Sequence, residues 1–267
     1  MNPRRVKAVL LRQIFLIRGS FARVLPMFIW AAIDVILWGF ITRYFNSFAS
    51  PGVDLVPALL GAVLLWDFFA RVMHGVTTAF LEDVWSRNFV NFFATPLTVA
   101  EYVTGLVITS VGSSAVGLVV MLLIAVLGFG LSILSYGLWG VAFMLVLFVF
   151  GIALGITGSA IILRLGPASE WFVWPLPAIL SPFAGVFYPL SALPFWMQAV
   201  SRLLPPAYVF EGVRGIARGG AASGAELAGG AVLSLLYLNM ASWHFTRTYQ
   251  HAVANGLLAR YTAESVA

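Results

Sequence analysis

The chain has 267 residues, 61% of them hydrophobic and only 9% charged, with a mean hydropathy of +0.97. Soluble domains carry about 25% charged residues, so this composition excludes a water-dissolved globule. The net charge of +5 does not point to nucleic acid. Arg4, Arg5, Lys7, Arg12, Arg18 and Arg23 all precede the first long apolar run, where they orient the chain and attract anionic headgroups.

Along the chain, residues 4–22 set Val6, Val9, Leu10, Ile14 and Ile17 against Arg5, Arg12 and Gln13 at helical spacing. That pattern predicts a helix lying in the headgroup plane. A first span runs from about Val24 to Thr42, and a second from about Leu55 into the Thr77–Phe80 region. Each is long enough to cross the ~30 Å hydrocarbon layer as a helix. Residues 82–98 then form an amphipathic island, with three charges, two Asn, four aromatics and the helix-stopping Pro96. A third span is expected from Val99 to about Gly128 and a fourth from Gly137 to Leu163, followed by a short charged loop, Arg164 to Glu170. A fifth apolar segment starts at Trp171 but is interrupted by Pro175, Pro177, Pro182 and Pro189. Leu190–Gly224 mixes Arg202, Glu211, Arg214 and Arg218 with apolar residues. The last span covers about Leu227–Phe245 and a polar tail, 247–267, closes the chain.

Six spans place both termini on one side, and the N-terminal basic cluster assigns that side to the cytoplasm. Arg87, Arg164, Arg247 and Arg260 agree with this assignment, whereas Arg43 and the basic residues of 190–224 do not. The exceptions fall mostly in proline-broken chain, which suggests a segment dipping back into protein, since irregular backbone at membrane depth survives only when shielded. The long first apolar run reads as a span, not as a cleavable signal peptide.

Several chemistries are excluded or unsupported. The chain has no cysteine, which rules out disulfides, thiolate metal sites and iron–sulfur ligation. There is no phosphate loop: the glycine-rich run Gly155-Ile-Thr-Gly158-Ser159-Ala160 lacks the lysine and sits inside a span. His74, His244 and His251 are scattered without ligand spacing. Energy for any work is therefore expected from a partner or an ion gradient.

The island reads as a lever for a cytoplasmic partner. Glu82 and Asp83 favour a helix N-terminus there, Pro96 ends it, and Phe89, Phe92 and Phe93 gather on one face. Ionisable residues inside spans cost a few kcal/mol unless paired or wet. Asp67 and Arg71, four residues apart, can pair locally, whereas Asp34 has no local partner. Gly151-x-x-x-Gly155 permits close helix approach and reads as an internal packing seam. Trp30, Trp38, Trp139, Trp171, Trp196 and Trp243 fall mostly near span ends, as interface anchors do.

The acidic start, the run Phe93-Ala94-Thr95-Pro96-Leu97 and Glu101 at the next span resemble the permease subunits of type-2 ABC exporters. A second match is Ser181-Pro182-Phe183-Ala184-Gly185-Val186-Phe187-Tyr188-Pro189-Leu190-Ser191-Ala192-Leu193-Pro194, followed by Pro205, Tyr208, Glu211-Gly212 and Arg214. The resemblance extends over nearly the whole chain. It implies an all-α integral membrane protein, with residues 1–267 forming one permease domain of six transmembrane helices. Residues 1–23 would be its amphipathic interface helix, 82–96 a cytoplasmic coupling helix after span two, 190–224 a re-entrant outer hairpin between spans five and six, and 247–267 a cytoplasmic tail.

It further implies that Glu82, Asp83, Arg87, Asn91, Phe92 and Phe93 meet an ABC ATPase subunit, with Arg164 and Glu170 as a smaller contact. Asp34, Asp67, Arg71, Arg202, Glu211 and Arg214 are candidates for the transport path or gate, Glu211 and the arginines having mutual pairing as the alternative. Two ATPase copies would drive two permeases, a homodimer, in the bacterial cytoplasmic (inner) membrane. ATP and Mg would be used by the partner, and this chain would bind no cofactor and no nucleic acid. The resemblance and the apolar interior point to a lipid, lipid-linked glycan or hydrophobic drug as cargo. The competing readings are a gradient-driven transporter or channel, and a lipid-modifying enzyme built on His74, Asp67 and Arg71.

Overall fold

A computed structural model describes residues 1–19, 21–48, 55–86, 95–132, 136–217, 219–220 and 223–255; for 17, 18, 21–24 and 26–28 only the backbone is described. Among the described residues the chain is helical and contains no strand. In order, the α-helices are α1 Pro3–Arg18, α2 Phe21–Asn46, α3 Gly61–Trp85, α4 Val99–Phe129, α5 Gly137–Leu165, α6 Glu170–Val173, α7 Leu176–Ala184, α8 Phe195–Ser201, α9 Pro205–Ala217 and α10 Gly224–Ala254.

Among the described residues, four helical stretches are long and apolar enough to cross a membrane: Val56–Trp85, Val99–Phe129, Gly137–Leu165 and Gly224–Ala254. At ~1.5 Å per residue each exceeds the ~30 Å hydrocarbon thickness. The 26-residue α2 runs beside α4. The expected fifth span is not one helix. Proline removes a backbone donor and clashes with the preceding turn, so the chain from 170 is cut into α6 and α7 around Pro175, and α7 ends at Gly185 with φ 65°. A single 3₁₀ turn, Leu190–Ala192, leads to α8. The second span also runs further than expected: Glu82 and Asp83 close the end of α3 instead of opening a separate helix. The heart of the island, residues 87–94, lies outside the described residues.

The core lies where α3, α4, α5 and α10 meet. Val72, Met73, Val76 and Phe80 of α3 pack with Tyr102 and Leu106 of α4, Ile152 and Ile156 of α5, and Phe245 of α10. The glycine pair forms a seam inside the chain. A Cβ at Gly151 would lie 3.0 Å from the Phe69 carbonyl oxygen, and one at Gly155 2.7 Å from that of Met73. Only glycine lets α5 approach the α3 backbone so closely.

α1 lies across one end of this bundle, the end at which α3 finishes and α4 begins. Its buried positions Val6, Val9 and Gln13 follow the three-and-four spacing of one helical face. Val9 rests on Gly105, whose hydrogen leaves room for it. Leu11, Ile14 and Phe15 stay exposed on another edge. The simple amphipathic expectation is therefore corrected at Gln13, which faces inward. α4 starts in a capping box: Thr98 Oγ1 accepts from Glu101 N, and the Glu101 carboxylate accepts from Thr98 N at 3.0 Å.

Candidate functional site

On α3, Asp67, Arg71, His74, Thr78 and Glu82 recur at intervals of three and four, so one face of an apolar helix carries a polar stripe. That stripe forms a wall of a cavity of about 470 Å³, completed by Trp30 and Asp34 of α2, Thr109, Ser113, Ser114 and Gly117 of α4, Gln13 of α1, and Trp174. The Asp67–Arg71 pair forms, Arg71 Nε donating to Asp67 Oδ2 at 2.5 Å, with both side chains under one-fifth exposed. Gly117 lets the Arg71 side chain lie against α4, where a Cβ would already be 3.4 Å from Arg71 Cδ. His74 packs on Trp174 with ring centroids 4.8 Å apart, its Nε2 lying 3.2 Å from the Trp174 carbonyl oxygen. Thr109 and Ser113 donate to carbonyls of their own helix, so that wall is polar without adding charge.

Asp34 faces the Asp67–Arg71 pair from α2, close enough for both charges to act on it. None of the described hydrogen bonds or ion pairs involves Asp34. Charged groups at membrane depth persist when paired or in contact with water. Asp67 satisfies the first condition, whereas Asp34 lines the cavity. The structure thus unites three of the six residues singled out for the path, Asp34, Asp67 and Arg71. It adds His74, which sequence had set beside Asp67 and Arg71 only in the competing enzyme reading.

A second polar cluster sits at the α1 end. Asp83 is fully buried and pairs with the Arg12 guanidinium. It also accepts from Tyr102 Oη at 2.7 Å and Gln13 Nε2 at 3.5 Å. Arg12 Nη2 reaches Ser86 Oγ at 3.1 Å. Burial lowers the pKa of Arg12 from its ordinary value, opposed by the fields of Tyr102 and Glu82, and a guanidinium stays charged through such changes. Glu101 accepts from Asn2 N at 2.6 Å and faces Arg5 Nη1 at 3.5 Å. Two carboxylates therefore pin α1 onto the ends of α3 and α4. Asp83, expected at a partner surface, is instead turned inward.

The remaining candidates lie apart from the cavity. Arg87, Asn91, Phe92 and Phe93 fall outside the described residues. Arg164 ends α5 and Glu170 begins α6, on either side of Gly166, whose φ is 96°. At the opposite end of the bundle, Glu211 accepts from Leu190 N at 2.7 Å, and Arg214 donates to Glu211 Oε1 at 2.8 Å. Arg214 also donates to the carbonyls of Gly185 and Tyr188. These groups bind α9 to the turn after α7, the internal pairing that was the alternative to a gate. Arg202 is exposed at the same end.

Long apolar helices enclosing a charged cavity define a multi-pass membrane protein of the transport class. A family model for the ABC-2 type transporter matches residues 6–217, from α1 through α9. The chain belongs to that family and is a permease component of an ABC transporter, a transport subunit and not itself a catalyst. No curated protein matches it in sequence.

Proposed function

We propose that the chain is the permease half of an ATP-driven exporter, two copies working with two ATPase subunits. Its cargo would be a lipid, a lipid-linked glycan or polysaccharide, or a hydrophobic drug, taken from the cytoplasm or the inner leaflet. The observation that carries this reading is the cavity between α2, α3 and α4. It holds charged groups amid apolar helices and reaches from Asp34 to Gln13 and Glu82, beside the α1 cluster. That position suits a path whose inner mouth adjoins the coupling element.

In this reading residues 82–96 carry the coupling helix, with Glu82, Arg87, Asn91, Phe92 and Phe93 toward the ATPase and Arg164 and Glu170 beside them. Asp83 anchors the element from within through Arg12. Binding and hydrolysis of ATP with Mg take place in the partner. Coupling requires that the ATPase hold this element differently in its two nucleotide states, since equal affinity shifts no equilibrium. Segment 190–224 forms the outer, re-entrant hairpin, kept together by Glu211 and Arg214. The N-terminal basic cluster supports a cytoplasmic position for both termini, in a bacterial inner membrane.

The test is co-purification with the ATPase encoded beside the gene, followed by substitution of Glu82, Arg87 and Phe92. Loss of ATPase binding and stimulation is expected. If both persist and transport is unchanged, the coupling assignment is wrong. Gradient-driven flux by the purified chain alone would favour a secondary transporter instead.

A further inference from the structure

The cavity carries charged groups. Among the described residues that line it, Asp34, Asp67 and Glu82 are carboxylates and Arg71 brings a guanidinium. Arg12 acts on Glu82 and is bound to buried Asp83. The bond from His74 Nε2 to the Trp174 carbonyl needs only the neutral ring. Asp67 pairs with Arg71, whereas for Asp34 no hydrogen bond or ion pair to a described residue is found.

The volume of about 470 Å³ falls within the ~300–1,000 Å³ of small-molecule sites. Trp30 and Trp174 also line it, and a cation is attracted to an indole face. A neutral cargo would leave the Asp34 carboxylate desolvated without a partner, and an anionic one would meet a like charge there; both are unfavourable.

We infer that this cavity binds a cationic amphiphile, a small molecule whose single positive charge meets Asp34 while its apolar body lies against Trp30 and Trp174. The inference narrows the cargo class and rests on the exporter reading for the transport step, though not for binding.

The probes are tetraphenylphosphonium and tetraphenylborate, ions of one shape and opposite charge. Equilibrium dialysis against the detergent-purified chain with its ATPase measures their binding to wild type, Asp34→Asn and Asp34→Glu. Saturable phosphonium binding is expected, weakened at least about tenfold by Asp34→Asn and retained within about threefold by Asp34→Glu, where tenfold is ~1.4 kcal/mol. Trp30→Ala should weaken it less. Absent phosphonium binding, equal affinity in wild type and Asp34→Asn, or saturable borate binding overturns the inference.

ATP-driven phosphonium uptake into inverted vesicles separates the two readings. Binding through Asp34 without any ATP-driven movement removes the exporter reading and leaves the site. ATP-driven movement of another cargo without phosphonium binding removes the site and leaves the exporter.

Discussion

Replacing Arg12 with Met removes the charge that faces Asp83 while keeping most of the apolar stem. Asp83 is fully buried and Arg12 about one-fifth exposed. Stranding one member of such a pair costs on the order of 3–5 kcal/mol, because the remaining charge is desolvated without compensation. Tyr102 and Gln13 still donate to the carboxylate, which places the expected loss near ~3 kcal/mol. Asp83→Asn strands the guanidinium instead, at a part-exposed position where water can reach it, and should cost less. In the double variant no buried charge is unmatched, so the two losses should fall short of their sum by ~0.5–3 kcal/mol. Thermal unfolding of the detergent-solubilised chain, followed by tryptophan fluorescence and by retention of a monodisperse peak, measures all four proteins. Strictly additive losses, or an Arg12→Met protein as stable as wild type, would refute the cluster as the anchor of α1.

Three further outcomes are expected. Gly155→Ala pushes a methyl group against the Met73 carbonyl and Val76, both at 2.7 Å, and should cost ~1–3 kcal/mol by overpacking; Gly112→Ala, with nothing within 4 Å, is the control in the same thermal assay. Arg214→Met unties Glu211 and the carbonyls of Gly185 and Tyr188, and should speed limited proteolysis between residues 185 and 205 while leaving α3–α5 packing intact. Asp34→Leu should leave thermal stability unchanged or raised, because it removes an ionisable group from a span, while abolishing transport by the assembled complex; a strongly destabilised Asp34→Leu would show that the carboxylate is structural.

The topology-bearing features were local and therefore readable. Runs of apolar residues long enough for a bilayer mark α3, α4, α5 and α10 whatever their neighbours, and the glycine pair in α5 announced a close approach. Helical periodicity also joined Asp67 to Arg71, since residues four apart share a face. The N-terminal helix was legible as amphipathic, yet its inward edge was not. Arg12 and Gln13 carry the polarity of a solvated face, and their partner Asp83 lies about seventy residues away.

What the chain's own order determined is thus a multi-span helical membrane protein, with proline breaking the stretch after Trp171 and glycine thinning α5. The tertiary structure decided the pairings: Asp83 with Arg12, Glu101 with Asn2 and Arg5, Arg214 with the turn after α7, and Asp34 opposite Asp67 and Arg71. Periodicity specifies which face of a helix a residue occupies, and the bilayer requires that a charged face be paired or wet. Which other helix supplies the partner, or leaves a space in its place, depends on packing between segments distant in sequence.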